Sequence, residues 1–260
     1  NKNSDRWFYF PIIILLFYFI VRLIDQSKII KYFPLDVTND VSSYMVQLNF
    51  LKVCGFHNFC PYWYNGFTTF SFSQPGWYFF TFPLYYITND VKVATFLSIL
   101  LIFILAFSAI FLLYKHLGLS KIKRIVFFFF FFGNAIAIGN FIRLGRAHEL
   151  FAWMAFIILT FILLWYKDHN LDKKFFIGSL AYGIILISHQ AVAALSIFLI
   201  GGLFLVKRGF TEKAKVVLMT VFSFLIASFW LIPFIQRIYV VAYLVEIMET
   251  GYGYLLKSIY

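Results

Sequence analysis

The chain has 260 residues, of which 62% are hydrophobic and 13% charged, with 37 Phe and 17 Tyr. A water-soluble domain needs a polar surface that this composition does not supply, so a soluble enzyme or binding module is excluded and lipid is the fitting solvent. The formal charge of +11 comes from 22 Lys and Arg. They collect in short gaps between apolar runs rather than in a basic stripe interleaved with aromatics, so they report membrane topology and not a nucleic-acid partner.

A first apolar run at 7–24 is followed by a long stretch, 25–90, too polar to span and too aromatic for a plain linker. It is expected to form an external loop with amphipathic helices on the membrane surface. Further runs lie at 91–114, 125–141, 150–166, 175–187, 190–206 and 216–235, and a tail covers 236–260. A helix needs about 20 residues to cross the hydrocarbon layer. The expectation is a single all-α membrane domain, a polytopic bundle of about seven spans, with the third and fifth runs short. No internal repeat suggests the halves of a transporter.

Lys and Arg set the orientation. Lys115, Lys121, Lys123 and Arg124 share a gap with no acid, and Lys207, Arg208, Lys213 and Lys215 face Glu212 alone. Both gaps, with the one around Lys167, Lys173 and Lys174, belong in the cytoplasm. The N-terminus is then cytoplasmic. The long loop, the Arg143–Glu149 segment, the turn at Ser188, His189 and Gln190, and the tail are all external.

Four polar clusters fall at that external level. Asp40 precedes apolar positions Tyr44, Met45, Leu48 and Leu51 at helical spacing. It, or Asn39, can simply cap the helix. It can also accept a proton from an acceptor hydroxyl, a role for which Asp36 is the second candidate. Cys54, His57 and Cys60 are closely spaced, but three ligands without a fourth fit a disulfide or two free thiols better than a metal. Arg143, Arg146, His148 and Glu149 join two apolar runs with hardly any loop. An Arg143 or Arg146 pair with Glu149 is the plain reading. The functional one places an Arg on a phosphate, with His148 or Glu149 orienting it or holding a cation. His189 ends another short run and is either a packing residue or a fourth member of this group.

The run Asp40-Val-Ser-Ser-Tyr44, followed by Gly55, Pro61, Trp63, Asn65-Gly66, Pro75 and Pro83-Leu84-Tyr85, resembles the first external loop of the GT-C membrane glycosyltransferases. Gly145-Arg146-Ala-His148-Glu149-Leu and Ser188-His189 resemble in particular the archaeal and bacterial members labelled as related to 6-pyruvoyl-tetrahydropterin synthase. The resemblance covers about residues 7–235. It implies a transferase in a prokaryotic, archaeal-type plasma membrane that passes a sugar from a polyprenyl-phosphate donor to an acceptor on the outer face. Asp40 matches the family's loop carboxylate, which activates the acceptor or, in some members, binds Mg²⁺ or Mn²⁺. Arg143, Arg146, His148 and His189 would hold the donor phosphate. Two departures stand out: Val41 replaces a second acid, and family members have more spans. They leave open a fragment, or a non-catalytic membrane subunit of a larger complex; a transporter or lipid flippase is a further alternative. Membrane lipids, the lipid-linked sugar and other membrane subunits are the expected partners.

Overall fold

The computed structural model describes residues 6–32, 40–63 and 66–257. These residues fold into a bundle of apolar helices with one two-stranded hairpin. α1 (Arg6–Gln26) continues through one 3₁₀ turn to Ile30. α2 (Val41–Cys54) and α3 (Gly76–Thr88) flank the hairpin of β1 (Phe59–Cys60) and β2 (Phe67–Thr68). The expected long loop thus carries two helices.

α4 (Val91–Leu113) starts at Asp90, whose carboxylate accepts the Lys92 and Val93 amides and so satisfies two orphan donors. The next apolar segment is broken. α5 (Lys121–Phe128) and α6 (Ala135–Ile138) are each followed by a π-helical turn, Phe129–Gly133 and Gly139–Arg143. The two halves meet at Asn134 with a bend of 46°. The Asn134 side chain caps the second half by accepting the Ala137 amide at 2.9 Å. α7 (Ala147–Lys167), α8 (Ile177–Leu186), α9 (Gln190–Val206) and α10 (Phe210–Lys257) complete the order, so the segment expected as a tail from 236 continues the last helix.

Among the described residues four helices are long and apolar enough to cross a membrane, five if the bent pair counts as one. The runs expected at 175–187 and 190–206 form helices of 10 and 17 residues. At 1.5 Å per residue these reach about 15 and 25 Å, short of the roughly 30 Å hydrocarbon layer. α7 is the axis of the bundle, with 67% of its apolar window buried against 11% for α1. One core gathers α4, the bent segment and α7; another gathers α7, α8 and α9 with Val216 and Met219 of α10. Large apolar side chains left outside, such as Phe10, Ile24 and Phe198, have lipid as their solvent.

The connections collect at two ends. At the basic end, Lys207 and Lys215 donate to the His169 and Leu171 carbonyls, and Glu212 accepts the Leu171 amide at 2.9 Å. At the opposite end, Trp230 Nε1 donates to the Phe70 carbonyl at 3.1 Å, and Arg237 donates to Ser71 and Thr68, fastening α10 to the hairpin region. Cys54 and Cys60 are joined by a disulfide across this loop, so neither sulfur serves a metal. Maleimide labelling of the denatured protein is expected only after reduction. Substituting both cysteines by Ser is expected to lower stability by about 2 kcal/mol, the loop-closure value for so short a ring.

Candidate functional site

Four segments far apart in sequence meet at the non-basic end. Asp40 stands at the N-cap of α2 and its amide donates to the Leu144 carbonyl at 2.9 Å, which ties the first loop to the approach of α7. Its carboxylate makes no capping hydrogen bond with α2. It faces Arg146 instead, with Oδ2 3.7 Å from Nε, and Arg146 Nη1 lies 3.7 Å from Glu149 Oε2. Gly145, at φ 65°, supplies the left-handed turn that brings Arg146 to this position one residue before α7.

Asp40 and Arg146 side chains are about half exposed, at 49% and 45%, whereas Glu149 is at 17%. Glu149 also accepts the indole N–H of Trp153 at 3.3 Å. The guanidinium therefore bridges an open carboxylate and a sheltered one. Burial pushes the Tyr44 hydroxyl up to about 12, with the Asp40 and Glu149 charges acting in the same sense and Arg146 against them. Tyr44 is a protonated donor beside the triad at neutral pH.

Beneath lies an aromatic box. The His148 ring is 4.5 Å from Tyr44, 4.6 Å from Tyr78 and 5.4 Å from Trp77, and His148 is 7% exposed. Tyr78 donates to Gln47 at 2.7 Å. Nδ1 of His148 and of His189 and Nε1 of Trp77 are buried with no hydrogen-bond partner among the described residues. Such a group of orphaned polar atoms is uncommon and marks a place where polar ligand atoms or water are accommodated.

His189 enters through a backbone lock. The Gly76 amide donates to the Ile187 carbonyl at 2.8 Å, and Gln74 in its satisfied orientation bridges the Ser188 carbonyl and the Gln190 amide. The start of α3 is thereby seated on the α8–α9 turn, and His189 comes within electrostatic reach of Glu149, Arg146 and His148. Burial lowers the His189 pKa below the ordinary value; the Glu149 charge opposes this and Arg146 adds to it. A depressed pKa means that the unfolded chain binds the proton more readily, so stability is lost as pH falls below about 6.5. Lowering pH from about 7.5 to 5.5 is expected to lower the thermal midpoint, and His189→Gln is expected to remove part of that loss.

No family of known proteins, no curated protein and no solved structure matches this chain. The functional conclusion therefore rests on the geometry of the site. Asp40, Arg146, His148, Glu149 and His189 come together. Arg143 lines a cavity of about 390 Å³, shared with Arg22, Asp25 and Gln26 of α1. Asp36 lies outside the described residues. Among the described residues no three His, Cys, Asp or Glu side chains group as a metal site, and the positive charge between the two carboxylates is a guanidinium. Gly76, Trp77 and Tyr78 also shape the site, although none of them stands out as a candidate in the sequence. Their signal there is the Gln74-Pro75-Gly76-Trp77-Tyr78 run, whose composition suggests only a rigid interfacial loop.

Proposed function

We propose that this chain is a membrane glycosyltransferase, or the GT-C-type module of one, that passes a sugar from a polyprenyl-phosphate donor to an acceptor hydroxyl. The observation that carries the reading is the open Asp40 carboxylate, held at the mouth of a bundle beside Arg146 and above buried imidazole and indole groups. The proposed topology has seven passes, with α8 and α9 as short ones and the site facing outward. The excess of Lys and Arg at the opposite end supports that orientation. So does the Cys54–Cys60 disulfide on the site side, since disulfides persist outside the cytoplasm.

In the proposed reaction Asp40 takes the proton of the acceptor hydroxyl. The hydroxyl oxygen forms a bond to the anomeric carbon, and the bond from that carbon to the phosphate oxygen breaks. The electron pair leaves with the polyprenyl phosphate, where Arg146, the Tyr44 hydroxyl and the His189 ring offset the growing negative charge. An exposed ion pair contributes only about 0–1 kcal/mol, so Arg146 can exchange Asp40 for a phosphate at little cost. No step is routed through a metal.

The test is transfer of a labelled sugar from short-chain polyprenyl-phosphate donors to endogenous acceptors by the purified protein in nanodiscs. Transfer that depends on Asp40 supports the reading. Stoichiometric isolation within a larger complex, with neither transfer nor bound lipid phosphate, would move it to a non-catalytic membrane subunit.

A further inference from the structure

At the basic end, far from the Asp40 cluster along α7, a cavity of about 410 Å³ opens between α4, α7 and the start of α8. Its walls are apolar, from Leu113, Ile158, Phe161 and Ile162, and its polar rim consists of His116 and Lys174 with the rings of Trp165 and Tyr166. Trp165 is stacked on His169 at 4.3 Å, and the Tyr166 hydroxyl donates to Asp172. Both rings are fixed where the apolar wall meets the charged connections, the level at which Trp and Tyr anchor a protein in the headgroup layer.

The charge around this rim is one-sided. The connections 115–124, 167–174 and 207–215 carry eleven Lys and Arg against Asp168, Asp172 and Glu212. Two of those acids are engaged by the protein itself. Asp172 accepts the Lys174 and Phe175 amides, and Glu212 is paired with Lys215 at 2.7 Å. An apolar slot ending in a cationic rim, within a field of this sign, complements one kind of molecule: an acyl chain that ends in an anionic headgroup.

We infer that this groove is a specific site for an anionic phospholipid, with the acyl chain against Ile158, Phe161 and Ile162 and the headgroup phosphate at Lys174 and His116. The Lys174 ammonium attracts the phosphate and the His116 ring N–H donates to it. The site is independent of the chemistry assigned to Asp40 and holds whether or not the chain transfers a sugar. It places the lipid on α4, α7 and the entry to α8, the elements that carry the bundle core.

Native mass spectrometry of the full chain in neutral detergent, titrated with palmitoyl-oleoyl phosphatidylglycerol or the matching phosphatidylcholine, tests this. Phosphatidylglycerol is expected to bind about fivefold more tightly. Lys174→Gln is expected to erase that preference and Lys174→Arg to keep it, and Ile158→Trp, which fills the slot, to weaken both lipids. Inorganic phosphate alone is expected not to compete. Equal binding of the two lipids by the unaltered chain overturns the inference, as does a preference that survives both Lys174→Gln and Ile158→Trp, which would reflect general adhesion to a basic surface. Full competition by inorganic phosphate would reassign the rim to a free anion and also overturn it.

Discussion

Asp40→Asn is expected to lower sugar transfer by about 10²- to 10⁴-fold, the usual range for a lost general base, while leaving the protein folded. Both expectations come from the geometry. The Asp40 side chain makes no capping bond, so the helix loses nothing that Asn fails to supply. Its ion pair with Arg146 is 3.7 Å long with both side chains about half exposed, which limits its contribution to under about 1 kcal/mol. An effect on the midpoint of a few degrees at most, beside a loss of transfer of several powers of ten, separates a chemical role from a structural one. If Asp40→Asn retains wild-type transfer, the proposed base is wrong. Arg146→Gln gives the complementary result, since a group that offsets leaving-group charge is expected to matter most with the poorest leaving groups.

The second large effect concerns a residue with no chemistry of its own. A Cβ on Gly76 would stand 2.2 Å from Ser188 Oγ and 3.0 Å from the Ile187 carbonyl oxygen. Ser188 is fully buried and its hydroxyl already donates to the Ile184 carbonyl, so it has no room to yield. Gly76→Ala must therefore push α3 off the α8–α9 turn. It is expected to destabilise the protein by about 1–3 kcal/mol, as overpacking does. Because the same contact positions His189 against the Arg146–Glu149 pair, a displacement of about 1 Å is also expected to cost up to about 100-fold in transfer. Gly201→Ala is the control: a Cβ there meets nothing within 4 Å, so no loss of either property is expected. Equal behaviour of the two variants in thermal-shift and transfer assays would remove the lock from the account.

The features legible in the sequence and those hidden from it divide along physical lines. Asp40 before Tyr44, Met45, Leu48 and Leu51 announces a helix because apolar spacing and a capping residue agree, and α2 begins one residue after Asp40. The spacing of Cys54 and Cys60 leaves a disulfide and two free thiols equally open, and the structure joins them. The placing of Arg146 is not legible in its polar run, because it depends on Gly145 turning at φ 65° before α7 restarts at Ala147. The shortness of α8 and the bounds of α9, by contrast, follow the apolar runs at 175–187 and 190–206. The contacts of Arg237 with Ser71 and Thr68 join residues more than 160 positions apart, beyond any local pattern.

The bond from Trp230 to the Phe70 carbonyl spans 160 residues of sequence, so the hairpin is made long before its partner. At about 5–20 residues per second, roughly 8–30 s separate synthesis of the hairpin from synthesis of the helix that fastens it. In the proposed orientation the first loop spends that interval outside the membrane with its aromatic surface unpartnered. A disulfide between neighbours six positions apart can close at once, without waiting for any later segment. Early closure would keep both thiols from pairing with foreign cysteines during the delay. Biogenesis of this fold is thus expected to depend on the oxidising machinery of the receiving compartment before the last helix has left the ribosome.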